Sequence, residues 1–135
     1  MSGESILIVD DNAQNLKLVR VLLSSEGYDV RTAGDAEEAL AALESFSPRL
    51  ILMDLQLPGM DGLELTRRLK ADPARRSIAI VALTAYAMKG DELRALAAGC
   101  DGYVAKPIDI MMLPQTVREQ LTLQHSSHVP EPKRP

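Results

Sequence analysis

The chain has 135 residues, with 15 Lys+Arg against 19 Asp+Glu for a formal charge of −4. That length fits one domain around one core, and 46% hydrophobic with 25% charged residues is ordinary for a soluble globular chain, which excludes disorder throughout. The acidic balance and the 3% aromatic content argue against a nucleic-acid partner, and the single Cys100 excludes an internal disulfide or a multi-cysteine zinc site and suits a reducing, cytoplasmic compartment.

Short apolar runs alternate with stretches of helical period. Ile6 to Val9 is a β-branched-rich run, as a strand buried on both faces should be. Leu16, Val19, Leu22 and Leu23 follow at helical spacing, and Gly27 stops that helix. Tyr28 to Thr32 reads as a second strand. Asp35 and Glu38 form a capping-box pattern, and Ala39, Leu40 and Leu43 continue a second helix. Leu50 to Met53 is a third strand; Asp61 to Lys70 is a helix that Asp72-Pro73 ends. Ile78 to Leu83 is a fourth strand, Asp91 to Ala98 a helix, and Gly102 to Val104 a short fifth strand. The last helix is expected to start near Leu113 with Pro114 at its first position, because proline inside a helix loses a hydrogen bond. Residues 1–121 are read as the domain, and residues 122–135, with three prolines, as a disordered tail. Ile78 to Met88, the longest apolar stretch, falls well short of the roughly 20 residues of a membrane-crossing helix. Neither a signal peptide nor a membrane partner is expected.

The pattern predicts an α/β fold, (βα) five times over, with a doubly wound parallel sheet. Such sheets bind ligands beyond the carboxyl ends of their strands. The residues just after the apolar runs are therefore the ones to inspect. They are Asp10 and Asp11, Asp54, Thr84, and Lys106 followed by Pro107. Each alone has a bland reading as a cap, turn or solvated residue; their coincidence at one sheet edge does not. Two carboxylates at about 4 Å repel by roughly 4 kcal/mol at an effective dielectric of 20. A cation or the Lys106 ammonium must offset this. Hard oxygen ligands at an open edge suit Mg²⁺, which leaves positions for phosphate oxygens. A carboxylate beside Mg²⁺ and a lysine is a plausible nucleophile toward phosphorus.

Val9-Asp10-Asp11-Asn12, Met53-Asp54 through Pro58-Gly59-Met60-Asp61-Gly62, Leu83-Thr84-Ala85 and Tyr103-Val104-Ala105-Lys106-Pro107 together resemble the receiver domain of two-component response regulators, within the CheY-like superfamily. The likeness covers roughly residues 5–121. The stretch Thr84 to Glu92 is similar to single-domain regulators of the DivK kind. The resemblance implies a flavodoxin-like sheet in the order 2-1-3-4-5. It implies that Asp54 is the phosphoacceptor, and that Asp11, Asp54 and the Gln56 backbone carbonyl bind Mg²⁺ directly while Asp10 holds it through water. It also implies that Thr84 is the switch hydroxyl, that the Ala85 N–H contacts the phosphoryl group, and that Lys106 pairs with it ahead of a cis Pro107. Tyr103 is the implied rotamer switch, and Gln56 and Tyr86 occupy the positions that tune phosphate lifetime, Tyr86 as a shield against water.

The implied function is a single-domain receiver that takes a phosphoryl group from a histidine kinase or histidine phosphotransfer protein and signals through a downstream protein target. It is a signalling protein that catalyses only its own phosphorylation and dephosphorylation. A dehalogenase-type phosphatase would need a second acid two residues after the nucleophile, where Gln56 stands. A nucleotide-binding domain would need a glycine-rich loop after the first strand, which is missing. A pseudo-receiver that binds partners without phosphorylation is disfavoured by the intact acceptor set.

Overall fold

Five runs of aliphatic residues become strands, and the segments between them become helices that return the chain to the same sheet edge. In the computed structural model, which describes residues 3–84 and 89–128, the order is β1 (Ser5–Val9), α1 (Ala13–Ser25), β2 (Asp29–Ala33), α2 (Ala36–Leu43), β3 (Leu50–Asp54), α3 (Gly62–Ala71), β4 (Ala79–Thr84), α4 (Lys89–Ala98), β5 (Gly102–Ala105) and α5 (Leu113–His128). All four strand pairs are parallel. The sheet order is β2-β1-β3-β4-β5, as the resemblance implies.

The three central strands explain the two cores. Side chains alternate across a sheet, so Ile6, Ile8, Leu50, Leu52, Val81 and Leu83 pack on Val19 and Leu23 of α1 and Val117 and Leu121 of α5. The alternate set, Leu7, Val9, Ile51, Met53 and Ile80, packs on Leu43 of α2, Leu65 and Leu69 of α3 and Ala95 of α4. A strand covered on both faces needs apolar residues at every position, which is why these strands read as unbroken hydrophobic runs. No helix among the described residues is long and apolar enough to cross a membrane.

Capping residues start three of the helices at the sheet's carboxyl edge. Asn12, Asp35 and Asp61 accept hydrogen bonds from the N–H groups of Asn15 at 3.0 Å, Glu38 at 2.8 Å and Glu64 at 2.8 Å. Glu38 completes the expected capping box with one change: its carboxylate takes the Gly34 N–H at 2.7 Å, one residue before the cap. At the other end of the chain the expected boundary moves. α5 begins at Leu113 as anticipated but runs to His128, so residues 122–128 are helical rather than a disordered tail. No proline or glycine lies between Pro114 and Pro130, and nothing local stops the helix before then.

Register sets the relative height of the strand ends. Val9 pairs with Met53, which puts Asp10 level with Asp54. Asp54 pairs with Leu83 and Thr84 with Ala105. Asp10, Asp54, Thr84 and Lys106 therefore all emerge within two residues of the same level at one edge.

Candidate functional site: an acidic pocket at the carboxyl edge of the sheet

Asp10 and Asp54 end up among the most buried polar residues of the chain, at 0% and 2% exposure, with Thr84 at 1%. Asp11 is exposed beside them. One carboxylate oxygen from each of Asp10, Asp11 and Asp54 lies within 4.8 Å of the others. A buried carboxylate needs donors on its lone pairs, and the loops supply them. Asp54 Oδ1 accepts the Gln56 N–H at 2.9 Å. Asp10 Oδ1 accepts the Asn12 N–H at 2.9 Å, and its Oδ2 accepts the Asn15 carboxamide at 3.3 Å. Lys106 Nζ bridges the two, 3.0 Å from Asp54 Oδ2 and 3.2 Å from Asp10 Oδ2. The Lys106 N–H is itself tied to the Thr84 carbonyl at 2.7 Å. Its peptide bond to Pro107 is cis.

One ammonium shared by two carboxylates leaves the pocket net negative, and the titration behaviour follows. Burial pushes the Asp54 carboxyl above its ordinary range; the Gln56 N–H and Lys106 oppose this only in part, and the Asp10 charge adds to it. Burial alone would lower the Lys106 pKa. The hydrogen bond to Asp54 and the charges of both aspartates outweigh it and hold the ammonium above its usual value. The ammonium is thus firmly charged while the carboxylates remain under-compensated. An arrangement of hard oxygen donors with a surplus of negative charge fits a divalent cation such as Mg²⁺. The residues present to hold it are Asp10, Asp11, Asp54 and the adjacent Gln56 backbone.

The structure thus brings Asp10, Asp11, Asp54 and Lys106 together, with Gln56 exposed just beyond Asp54 and Thr84 at the end of the neighbouring strand. Tyr103 lies half-buried in β5, next to that strand. Ala85 and Tyr86 lie outside the described residues.

Two residues of the pocket escape a reading by chemistry-bearing side chains at strand ends. Asn15 sits in the first turn of α1 and reaches back to Asp10. Its signal was the spacing from Asn12, since a cap residue and the residue three positions on lie on one side of the first turn. Gly62 opens α3, and its N–H donates to the Leu55 carbonyl at 3.2 Å. A Cβ there would collide with the Asp54 carbonyl oxygen and come within 2.8 Å of Leu55 Cα. Glycine at a first helical position, where it is a poor helix former, was the available signal.

Comparison with known proteins agrees with this geometry. The response regulator receiver domain family matches residues 6–118. The polar-differentiation response regulator DivK of Brucella anthropi is 43% identical over 118 residues, which are 87% of this chain and 96% of that one. A CheY-like receiver domain protein from Methanospirillum hungatei superposes with a TM-score of 0.85 at 34% identity, covering 93% of this chain and 99% of the other. The receiver domain of a sensor histidine kinase from Pseudomonas aeruginosa, 36% identical with a TM-score of 0.81 over 90% of this chain and 99% of its own, has a magnesium ion coordinated in its active-site cleft. The chain belongs to the response regulator receiver domain family, the phosphorylation-controlled modules of two-component signalling.

Proposed function

We propose that Asp54 is the phosphoacceptor and that this chain relays a phosphoryl group from a phosphohistidine, carried by a histidine kinase or phosphotransfer protein in the cytoplasm, to a change in protein contacts. The observation that carries this reading is the Lys106 ammonium 3.0 Å from the buried Asp54 carboxylate, beside two further carboxylates. Asp54 attacks phosphorus in line with the leaving imidazole; the P–N bond breaks as the acyl phosphate P–O bond forms. Asp10, Asp11, Asp54 and the Gln56 carbonyl would hold Mg²⁺, which would supply charge neutralisation for the phosphoryl oxygens. Lys106 follows the negative charge from the carboxylates to the phosphoryl group as a mobile point charge. The Thr84 hydroxyl and the Ala85 N–H donate to the remaining oxygens, and Tyr103 moves into the space Thr84 leaves. The protein catalyses its own phosphorylation and hydrolysis by positioning and electrostatics alone, with Tyr86 shielding the acyl phosphate from water.

The readout surface in this proposal is the face of α4, β5 and the start of α5. Leu93 and Leu96 of α4 and Ile110, Met111 and Met112 just before α5 are exposed, and Met111 reaches 82%. Exposed large apolar side chains suit a protein partner. A small acyl phosphate donor tests the chemistry, read by intact mass with and without Mg²⁺. Wild type is expected to gain one phosphoryl group only with Mg²⁺, and Asp54→Ala none. A phosphoryl group on Asp54→Ala would move the acceptor elsewhere.

A further inference from the structure

The proposed chemistry uses every charged side chain in the pocket and leaves one polar side chain there without a role. Asn15 lies in the first turn of α1, half-buried. Its backbone N–H serves the helix cap by donating to the Asn12 side-chain oxygen at 3.0 Å. Capping therefore makes no use of the carboxamide. That carboxamide instead donates from Nδ2 to Asp10 Oδ2 at 3.3 Å. A carboxylate only accepts, so this pairing fixes which end of the amide faces the pocket.

Asp10 is fully buried and depends on three donors that arrive from three places. The Asn12 N–H holds Oδ1 at 2.9 Å, while Asn15 Nδ2 and Lys106 Nζ share Oδ2. Lys106 is also committed to Asp54 at 3.0 Å. Of the two donors on Oδ2, only Asn15 is fixed by a helix; the lysine sits on a long flexible stem and has somewhere else to go. Once Lys106 turns toward a phosphoryl group on Asp54, Asn15 is the donor left on that oxygen. Without it, a buried carboxylate oxygen would either lose its partner or hold the ammonium back.

We propose that Asn15 is a positioning residue of the Mg²⁺ site: its carboxamide fixes the Asp10 carboxylate for the metal and keeps it satisfied when Lys106 leaves. The proposal rests on the reading of Asp54 as acceptor with Mg²⁺ beside it. Partners that orient a metal-binding group from behind commonly change metal affinity by about 10–100-fold when removed.

The test is calorimetric titration of Mg²⁺ into wild type, Asn15→Leu and Asn15→Ala, with thermal unfolding of each protein in the absence of metal. Leu is close to Asn in size, and both Leu and Ala are better helix formers. Metal-free stability is therefore expected to hold or rise in both variants. Mg²⁺ affinity is expected to fall about tenfold or more in both, following the typical cost of losing such a partner. Affinities within twofold of wild type in both variants would overturn the proposal. So would a loss of affinity matched by a loss of metal-free stability, because the carboxamide would then act through the fold. Wild type that takes up no Mg²⁺ would overturn the reading of the whole pocket, and the role of Asn15 with it.

Discussion

At the scale of single residues, the pocket holds buried like charges that oppose folding. Asp54 shows this most clearly. Burial raises its pKa above the ordinary value of 3.8, which its bonds to Gln56 and Lys106 do not undo. The native state then binds the Asp54 proton more tightly than the unfolded chain does. Ionising Asp54 therefore costs stability at pH values above its raised pKa. That cost shrinks as pH falls through the raised pKa and is gone below about 3.8. Asp54→Asn, which carries no charge, is expected to unfold at a higher temperature than wild type in metal-free buffer at neutral pH. The gap should narrow as the buffer is taken toward pH 4. A gap that stays constant with pH would show that ionisation of Asp54 is not its source. Lys106 shifts in the opposite sense of charge: its raised pKa adds stability that is present through neutral pH and lost only at strongly alkaline pH. All four charged residues of the pocket were legible in the sequence, because a charge directly after an unbroken apolar run has few bland explanations. Asn15 and Gly62 were not, because their roles depend on what faces them.

At the scale of elements, α3 seats directly against the backbone of Asp54 and Leu55. Gly62 donates its N–H to Leu55 and leaves no gap between the first turn of α3 and the Asp54 backbone. Thr66, fully buried, ties the next turn back to the Gly62 carbonyl at 2.8 Å. An added methyl at Gly62 meets backbone, which cannot swing aside as a side chain would. Overpacking of this kind costs about 1–3 kcal/mol. Gly62→Ala is expected to lower the urea midpoint accordingly and to slow phosphorylation by an acyl phosphate donor, since β3 and α3 must part. A midpoint and a rate equal to wild type would show that the helix start adjusts without loss. Strand positions were legible to within one residue, because burial on both faces removes polar residues from β1, β3 and β4. Helix α4 was less legible. Its period offers Leu93 and Leu96 for burial, yet Ala95 and Ala98 face the core while the two leucines are 66% and 48% exposed. Which face of α4 meets the core is set by its packed neighbours, with Ala95 and Ala98 joining the cluster of Leu65, Leu69 and Ile80.

At the scale of the whole molecule, ligand binding and stability are linked through the pocket. The acidic cluster draws on β1 and β3 directly and on β5 through Lys106. Those strands are joined only when the sheet is assembled, so the unfolded chain has no such site. A ligand that binds only the folded state stabilises it by about 2.7 kcal/mol at 100 times its dissociation constant. Mg²⁺ is therefore expected to raise the melting temperature of wild type by several degrees. Asp11→Ala should lose most of that rise while keeping its metal-free stability, since Asp11 is exposed and supports no core contact. An equal rise in wild type and variant would place the cation elsewhere on the surface.

The alternation of strands and helices, the α/β class and the edge at which the carboxylates and the lysine emerge are written in the residue pattern. Each of these follows from local periodicity and from the rule that parallel strands deliver their ends to one side. Which of those end residues meet is a matter of packing in three dimensions. That packing placed one ammonium between Asp54 and Asp10, turned the Asn15 carboxamide back onto Asp10 and pressed Gly62 against the Asp54 carbonyl. These depend on distances between segments far apart in the chain, on strand register and on the space left between packed helices. Residue periodicity carries no record of any of them.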